Sequence, residues 1–369
     1  MDTTQTEVTT PIAHDLLRET SDHRIIIADG YDIRIAVRRD RLQIIDGIST
    51  GRRTRTISRA DGIRRIVILS ESGYVTLEAM RYCELEGISI AQYERDGRLV
   101  FSSCAVDDSP RIQLAQSIVS AGGMEHIRLE TVRSFLTTKL SGQSIIASEI
   151  FMRDDIARKI DENARYIGKA SSINEMLGFE GKSASSYWRM WKGVISISWT
   201  STNHLPEHWF KPFPGRSSGS RYLTPSKARN RTFTDPISGN RGAKDPINSM
   251  LNYAYRVAET ETRFACLTHG LSPSIGFQHS IHSDRDAMCL DILEIIRPLC
   301  DRIVLEIIAS GVFGRNWVYE SQHGIVRLAA PLTHMISERC IDMAKVIQPH
   351  VSELASVLAA IRLPDLSSL

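Results

Sequence analysis

The chain has 369 residues, of which 42% are hydrophobic and 24% charged, with a formal net charge of +2. That length favours two domains and that composition a globular protein with a real core, which excludes a disordered or fibrous chain. Near-neutral charge means that any affinity for nucleic acid must come from where the basic residues sit.

No apolar run is long enough to span a membrane, because the segment Met288 to Val312 is interrupted by Asp291, Glu294, Arg297, Asp301, Arg302 and Glu306. The N-terminus lacks the basic start and apolar core of a secretory signal, so a cytoplasmic protein with no membrane association is expected. Six cysteines form no CxxC pair and imply neither a zinc site nor a disulfide framework.

In chain order, residues 1–22 are polar and Thr-rich and read as a flexible arm. A period of two then governs His23 to Ala28, Tyr31 to Val37 and Arg41 to Ile45, which suggests an antiparallel meander. Ile63 to Leu69 and Tyr74 to Leu77 add strands, Glu78 to Glu86 a short helix, and Ile88 to Tyr93 with Leu99 to Phe101 a hairpin around Asp96-Gly97. Between the strands, Gly51 to Arg65 carries six arginines against the single acid Asp61: either a phosphate contact or a solvated loop.

A linker at 107–110 separates this β-rich domain, 23–106, from a mostly helical one, 111–369. The spacing predicts helices over Arg111 to Ala121, Met124 to Leu140, Ser144 to Ile167 and Ala170 to Leu177, broken at Gly122-Gly123, Ser141-Gly142 and Gly178. A further helix begins at Ser183, so Glu180 is expected in a tight turn between two helices, where a side chain can be aimed. Tyr187, Trp188 and Trp191 read as core rather than as a base-stacking platform.

Residues 201–244 form a long irregular segment rich in Pro, Gly, Ser and Asn. Its basic residues include Lys211, Arg216, Arg221, Lys227, Arg229, Arg231, Arg241 and Lys244. Spaced guanidinium groups on a flexible loop can reach phosphates, and a solubilising linker is the alternative. Asp245 as N-cap and Pro246 at the first helical position open a long helix through Asn248, Tyr253 and Tyr255.

The stretch Gly270 to Pro298 is the chemical centre of the sequence. A Gly- and Pro-punctuated loop presents His279, and the apolar run after it carries Asp291 and Glu294, three apart and so on one helix face. A His upstream of two aligned carboxylates is a plausible divalent-metal site. His282 reads as a bystander on the loop, and His334 either lies near the site or is a core histidine. Gly314 to Arg327 reads as irregular, and Pro331 to Ile361 as a closing helix or pair of helices broken near Pro349.

Four motifs, GFEGKSASSYW (Gly178 to Trp188), DPINSMLNYAY (Asp245 to Tyr255), GLSPSIGFQHS (Gly270 to Ser280) and LDILEIIRP (Leu290 to Pro298), resemble in order and spacing those of the CRISPR-associated integrase family. This is the catalytic Cas-one subunit of the spacer-acquisition complex. The resemblance implies an α+β multidomain fold, with a small N-terminal β-rich dimerisation domain and a larger α-helical catalytic domain. It implies a metal-dependent DNA integrase and endonuclease that joins 3′-hydroxyl ends of short fragments into a repeat array in antiviral defence.

By the same resemblance Glu180, His279 and Glu294 are ligands of Mg2+ or Mn2+, and Asp291 is a supporting catalytic acid. Arg216, Arg221, Lys227, Arg229, Arg231, Arg241, Lys244 and Asn248 are candidate DNA contacts. The implied partners are DNA, a second copy of the chain, and a small Cas-two subunit completing a heterohexamer. A transposon-type or stand-alone integrase, a structure-specific repair nuclease and a non-catalytic DNA scaffold are the alternatives.

Overall fold

The computed structural model describes residues 25–93, 99–103, 109–192, 194–210, 243–279, 286–321, 324–341 and 343–363. The chain divides into two compact units, Met1–Ala91 and Gln92–Leu369.

The first unit is β-rich, as the alternating pattern predicts. Its strands are β1 (Ile25–Asp29), β2 (Ile33–Arg38), β3 (Arg41–Asp46), β4 (Arg53–Ile57), β5 (Arg65–Leu69), β6 (Gly73–Val75) and β7 (Ser89–Tyr93), with helix α1 (Leu77–Leu85) and, following in the chain, β8 (Leu99–Ser103). They make two four-stranded sheets, ordered β1-β5-β7-β8 and β4-β3-β2-β6.

The expected meander is therefore only partly realised. β2, β3 and β4 pair antiparallel, whereas β1 leaves them to pair parallel with β5, and β6 pairs parallel with β2. Short β-branched runs specify strands without specifying their neighbours. Ile33, Ile35, Leu42, Ile44, Ile57, Ile66, Ile68 and Cys83 share one core.

The basic segment is likewise not simply a loop, because β4 runs through it and five of its six arginines, Arg52, Arg53, Arg55, Arg59 and Arg65, have protein partners. The inward register of β3, Leu42–Ile44–Asp46, buries the Asp46 carboxylate completely. Arg53 grips it through Nε at 2.9 Å and Nη2 at 3.1 Å, and Arg55 Nη2 adds a third contact at 2.5 Å.

The second unit is helical. In order come α2 (Pro110–Ser120), α3 (Glu125–Glu149), α4 (Asp154–Lys169), α5 (Ile173–Trp191), α6 (Pro246–Thr268), α7 (Ala287–Ala309), a ribbon of β9 (Val318–Glu320) and β10 (Val326–Leu328), then α8 (Ala330–Ile341) and α9 (Ala344–Ala359). α3 packs on α4, α5 and α7, while α6 packs on α7, α8 and α9. Among the described residues no helix is long and apolar enough to cross a membrane.

Three expected breaks do not occur. α3 runs straight through Ser141-Gly142, because the missing side chain of Gly142 admits Pro298: a Cβ there would lie 2.7 Å from the proline Cβ. α5 runs through Gly178 and Gly181, so Glu180 stands on a continuous helix and not in a turn. Each glycine costs about 1 kcal/mol in a helix. Burial of Met176, Tyr187, Met190 and Trp191 on one face outweighs that cost. Pro349 lies inside α9, and the break between the closing helices falls before Ala344. The segment Gly314 to Arg327, expected to be irregular, contains the β9–β10 ribbon.

Candidate metal centre

The loop that presents His279 is built from both ends. Gly270, at φ +72°, turns the chain out of α6, and Leu271 and Phe277 are buried as anchors. Buried Gln116 on α2 clamps the middle: its Nε2 donates to Ser272 O at 2.9 Å and Ile275 O at 2.7 Å, and its Oε1 accepts from Ser272 N at 2.9 Å. Ser120 Oγ and Arg128 Nε donate to the carbonyls of Gly276 and Phe277 at 2.7 and 2.9 Å. Gly276 is required by proximity, since a Cβ there would meet Ala287 and the His279 carbonyl at 2.9 Å.

Asp291 fastens the end of this loop. Its Oδ2 accepts from the backbone N–H of Phe277 at 2.5 Å and Gln278 at 3.0 Å. Its Oδ1 accepts from His279 N at 3.0 Å and meets His279 Nδ1 at 2.6 Å. A carboxylate acceptor fixes the imidazole proton on Nδ1 and leaves Nε2 as the nitrogen able to ligate. Asp291 is fully buried with both oxygens committed, so it positions the histidine.

One turn along α7, Glu294 is 4% exposed, so Asp291 and Glu294 do not lie on a solvated helix face. Its Oε2 lies 2.6 Å from Lys139 Nζ, and the same ammonium is 2.5 Å from Glu180 Oε1. The lysine is thus held between acids from α5 and α7. The contact to Glu180 is a directed hydrogen bond. The contact to Glu294 is one of charge, because Glu294 Oε2 has no well-directed hydrogen bond. Arg297 Nη2 reaches Glu294 Oε1 at 3.3 Å. Burial alone would raise the Glu294 pKa, but Arg297, Lys139 and His279 outweigh it and bring it down to about 2.

Behind the site, Tyr187 and Tyr255 both donate to buried Asp301, and the Arg297 guanidinium lies 5.4 Å above the Tyr255 ring. Tyr187 and Trp191 are fully buried, in line with the core reading.

Two pairings result: Glu180 with Glu294 through Lys139, and His279 with Asp291. Among the described residues no three His, Cys, Asp or Glu side chains converge closely enough to hold a metal ion as they stand. The donor set nevertheless suits one. Two carboxylates, one buried and one partly buried, already converge on a single cation, and the histidine charge helps to lower the Glu294 pKa. Oxygen ligands with one imidazole suit Mg2+ or Mn2+ better than Zn2+.

Of the candidate DNA contacts, Arg216, Arg221, Lys227, Arg229, Arg231 and Arg241 lie outside the described residues, as does His282. Lys244 Nζ donates to Gly324 O at 3.1 Å. Asn248 is buried in the first turn of α6, where its N and Nδ2 donate to the Asp245 carboxylate at 2.9 and 2.6 Å. Asp245 is the expected N-cap, with Pro246 at the first helical position. His334 is half-buried on α8.

Sequence reasoning missed Lys139, Arg297, Gln116 and Arg128. Lys139 had a signal: it occupies the buried stripe of α3, between Leu136 and Leu140, where an apolar residue is expected. The loop clamps had none, because their partners are backbone atoms about 150 residues away.

A β-rich unit thus precedes a helical body in which two carboxylates share one ammonium and a third carboxylate orients a histidine. The family model described as CRISPR associated protein Cas1 matches residues 26–207 and 238–338. The chain belongs to the Cas1 family.

A CRISPR-associated endonuclease Cas1 of Pyrobaculum aerophilum is 22% identical over 76% of this chain and 82% of its own length. A Cas4/Cas1 exonuclease–endonuclease fusion of Geobacter sulfurreducens is 29% identical over 41% of this chain, which spans 22% of that longer protein. Among solved structures, a casposase bound to integration product superposes with a TM-score of 0.69 at 22% identity, covering 92% of both chains. A Cas1 protein from Thermotoga maritima superposes at 0.66 with 15% identity, covering 92% of this chain and 98% of that one.

Proposed function

We propose that this protein is a metal-dependent DNA endonuclease and integrase of CRISPR adaptation, joining 3′-hydroxyl ends of short DNA fragments into a repeat array by transesterification. The observation that carries this reading is the Cas1 family match, within which partly buried Glu180 and buried Glu294 converge on one cation position. Its relatives are named as CRISPR-associated endonucleases.

In this reading Glu180, Glu294 and His279 Nε2 hold Mg2+ or Mn2+, which when bound supplies positive charge to the phosphoryl oxygens. The chain's residues do the rest. Asp291 fixes the tautomer and aim of His279, and Arg297 anchors Glu294. The ligands come from α5, α7 and a clamped loop, so the site exists only in the folded helical unit.

The partners are DNA and a Cas2 subunit. The chain shares its fold with a chain of a Cas6-RT-Cas1–Cas2 complex, at a TM-score of 0.60 and 15% identity over 90% of this chain and 34% of that one. The β-rich domain at 23–106 is the dimerisation module, joined through the linker at 107–110 to the catalytic domain at 111–369. The basic segment 201–244 tracks DNA, and the protein acts in the cytoplasm.

The test combines a labelled 3′-hydroxyl duplex, a supercoiled plasmid carrying the repeat and Mn2+, with and without the Cas2 subunit. Strand joining is expected in the wild type and is lost in Glu180→Ala, His279→Ala and Glu294→Ala, while DNA binding survives. Joining that persists in all three variants removes the metal site from the reading. Joining of element ends that needs no small subunit assigns the chain to the transposon-type alternative.

A further inference from the structure

The sequence motifs absorb Glu180, His279, Asp291 and Glu294, but not the residue at their centre. Lys139 comes from α3, an element outside every motif, and its ammonium lies 2.5 Å from Glu180 and 2.6 Å from Glu294, with a side chain only 5% exposed. Those separations lie at or below the short end of charge-assisted N–H···O contacts, so the ammonium fills the place between the two acids. The ammonium and a metal ion shared by these two carboxylates cannot occupy the same space. Even side by side, in a site this buried, they would repel strongly.

We propose that Lys139 is a positioning residue that holds the cation place between Glu180 and Glu294 until a divalent ion displaces it, so that it sets both the metal-free stability and the metal affinity of the site. Two acids facing each other, Glu294 buried and Glu180 partly buried, would carry an uncompensated charge without a cation. The lysine supplies one, and its form suits exchange. An ammonium on a four-carbon stem is a point charge that leaves by rotating its own bonds, whereas a guanidinium fork is held in a fixed geometry by two parallel hydrogen bonds. The contact with Glu294 is one of charge without a well-directed hydrogen bond, so little directed bonding is lost on leaving that side. Arg297 stays behind on the other Glu294 oxygen and keeps the acid aimed.

This rests on the metal reading of Glu180 and Glu294, and the experiment separates the two. Mn2+ binding to the full-length protein is measured by calorimetry, and melting is followed with and without Mn2+, for the wild type, Lys139→Met, Lys139→Arg and Glu294→Gln. In Lys139→Met the competitor is gone and the site no longer has to be vacated, so Mn2+ binds roughly tenfold more tightly than in the wild type. The metal-free protein melts lower, and Mn2+ restores its melting temperature. Lys139→Arg retains the metal-free stability and binds Mn2+ no more tightly than the wild type.

A lysine that only braces the fold would give the opposite sign: affinity unchanged or weakened in Lys139→Met, with a melting loss that Mn2+ does not recover. Either result overturns the proposal. If Lys139→Met does not fold without metal, the double variant Lys139→Met/Glu180→Gln, which removes one of the opposed charges, is expected to fold, and its failure to do so also overturns it. Glu294→Gln reports on the underlying reading. Wild-type Mn2+ affinity in that variant discards the metal site itself, while loss of binding there with no gain in Lys139→Met discards the role of the lysine alone.

Discussion

Each unit of the molecule buries a carboxylate almost completely, and the two are compensated differently. Asp46, in the β-rich unit, takes three contacts from two arginines, one of them gripping both oxygens, so its charge is neutralised and its geometry fixed by the same atoms. Glu294, in the helical unit, has an arginine on one oxygen and on the other an ammonium shared with Glu180. A forked, saturated acid is scaffold. An acid answered by a point charge, with bonding capacity left over, is a place where another cation can enter. Burial alone would have classed the two together.

The largest test of this contrast is Glu294→Gln. Strand joining in a single-turnover assay is expected to fall by roughly 10³-fold, with the circular dichroism spectrum unchanged. Asp46→Ala should do the reverse. Stability from urea unfolding falls by about 1–3 kcal/mol, because partly buried Arg55 loses its acceptor while exposed Arg53 turns to solvent, and added Mn2+ recovers none of it. Recovery by Mn2+ would erase the distinction between the two acids.

Asp291→Asn is intermediate, since an amide keeps some of the loop's hydrogen bonds but no longer fixes the imidazole proton. Mn2+ affinity by calorimetry is expected to drop about 10- to 100-fold. The smallest effect belongs to Cys83, in the core of the β-rich unit, whose thiol burial pushes up to about 11. That pKa is raised on folding, so its contribution is present below the ordinary thiol value near 9 and is lost as pH rises toward 11. Alkylation of Cys83 in the native protein at mildly alkaline pH should therefore be negligible, and rapid labelling would show that this core opens locally.

Much of this was legible in the sequence where the signal is local. Alternation gave the strands, and Asp245-Pro246 gave the start of α6 with its cap bond to Asn248. The four ordered motifs gave the family, and they name the acids and the histidine that the structure groups in two pairs. The parts that were not legible depend on what lies across from a residue. Gly142 and Gly178 have the composition of breaks, yet the helices continue because tertiary burial exceeds the local cost of glycine. The arginines of Gly51 to Arg65 look like a phosphate patch until β4 pairs with β3 and turns two of them onto Asp46. Lys139 was visible as a charge on an apolar stripe, but its partners sit 41 residues away on α5 and on α7.

The contact between Gly142 and Pro298 has a further consequence. Gly142 lies three residues after Lys139, and Pro298 four after Glu294, so this close contact between α3 and α7 falls about one turn from the shared cation. The absent side chain acts as a spacing gauge: it sets how far apart the two helical walls stand, and therefore the gap that the lysine or an ion must fill. Interiors transmit strain of this kind with little compliance. A single methyl group at position 142 would widen that gap from a distance, detuning the centre without altering any of its ligands.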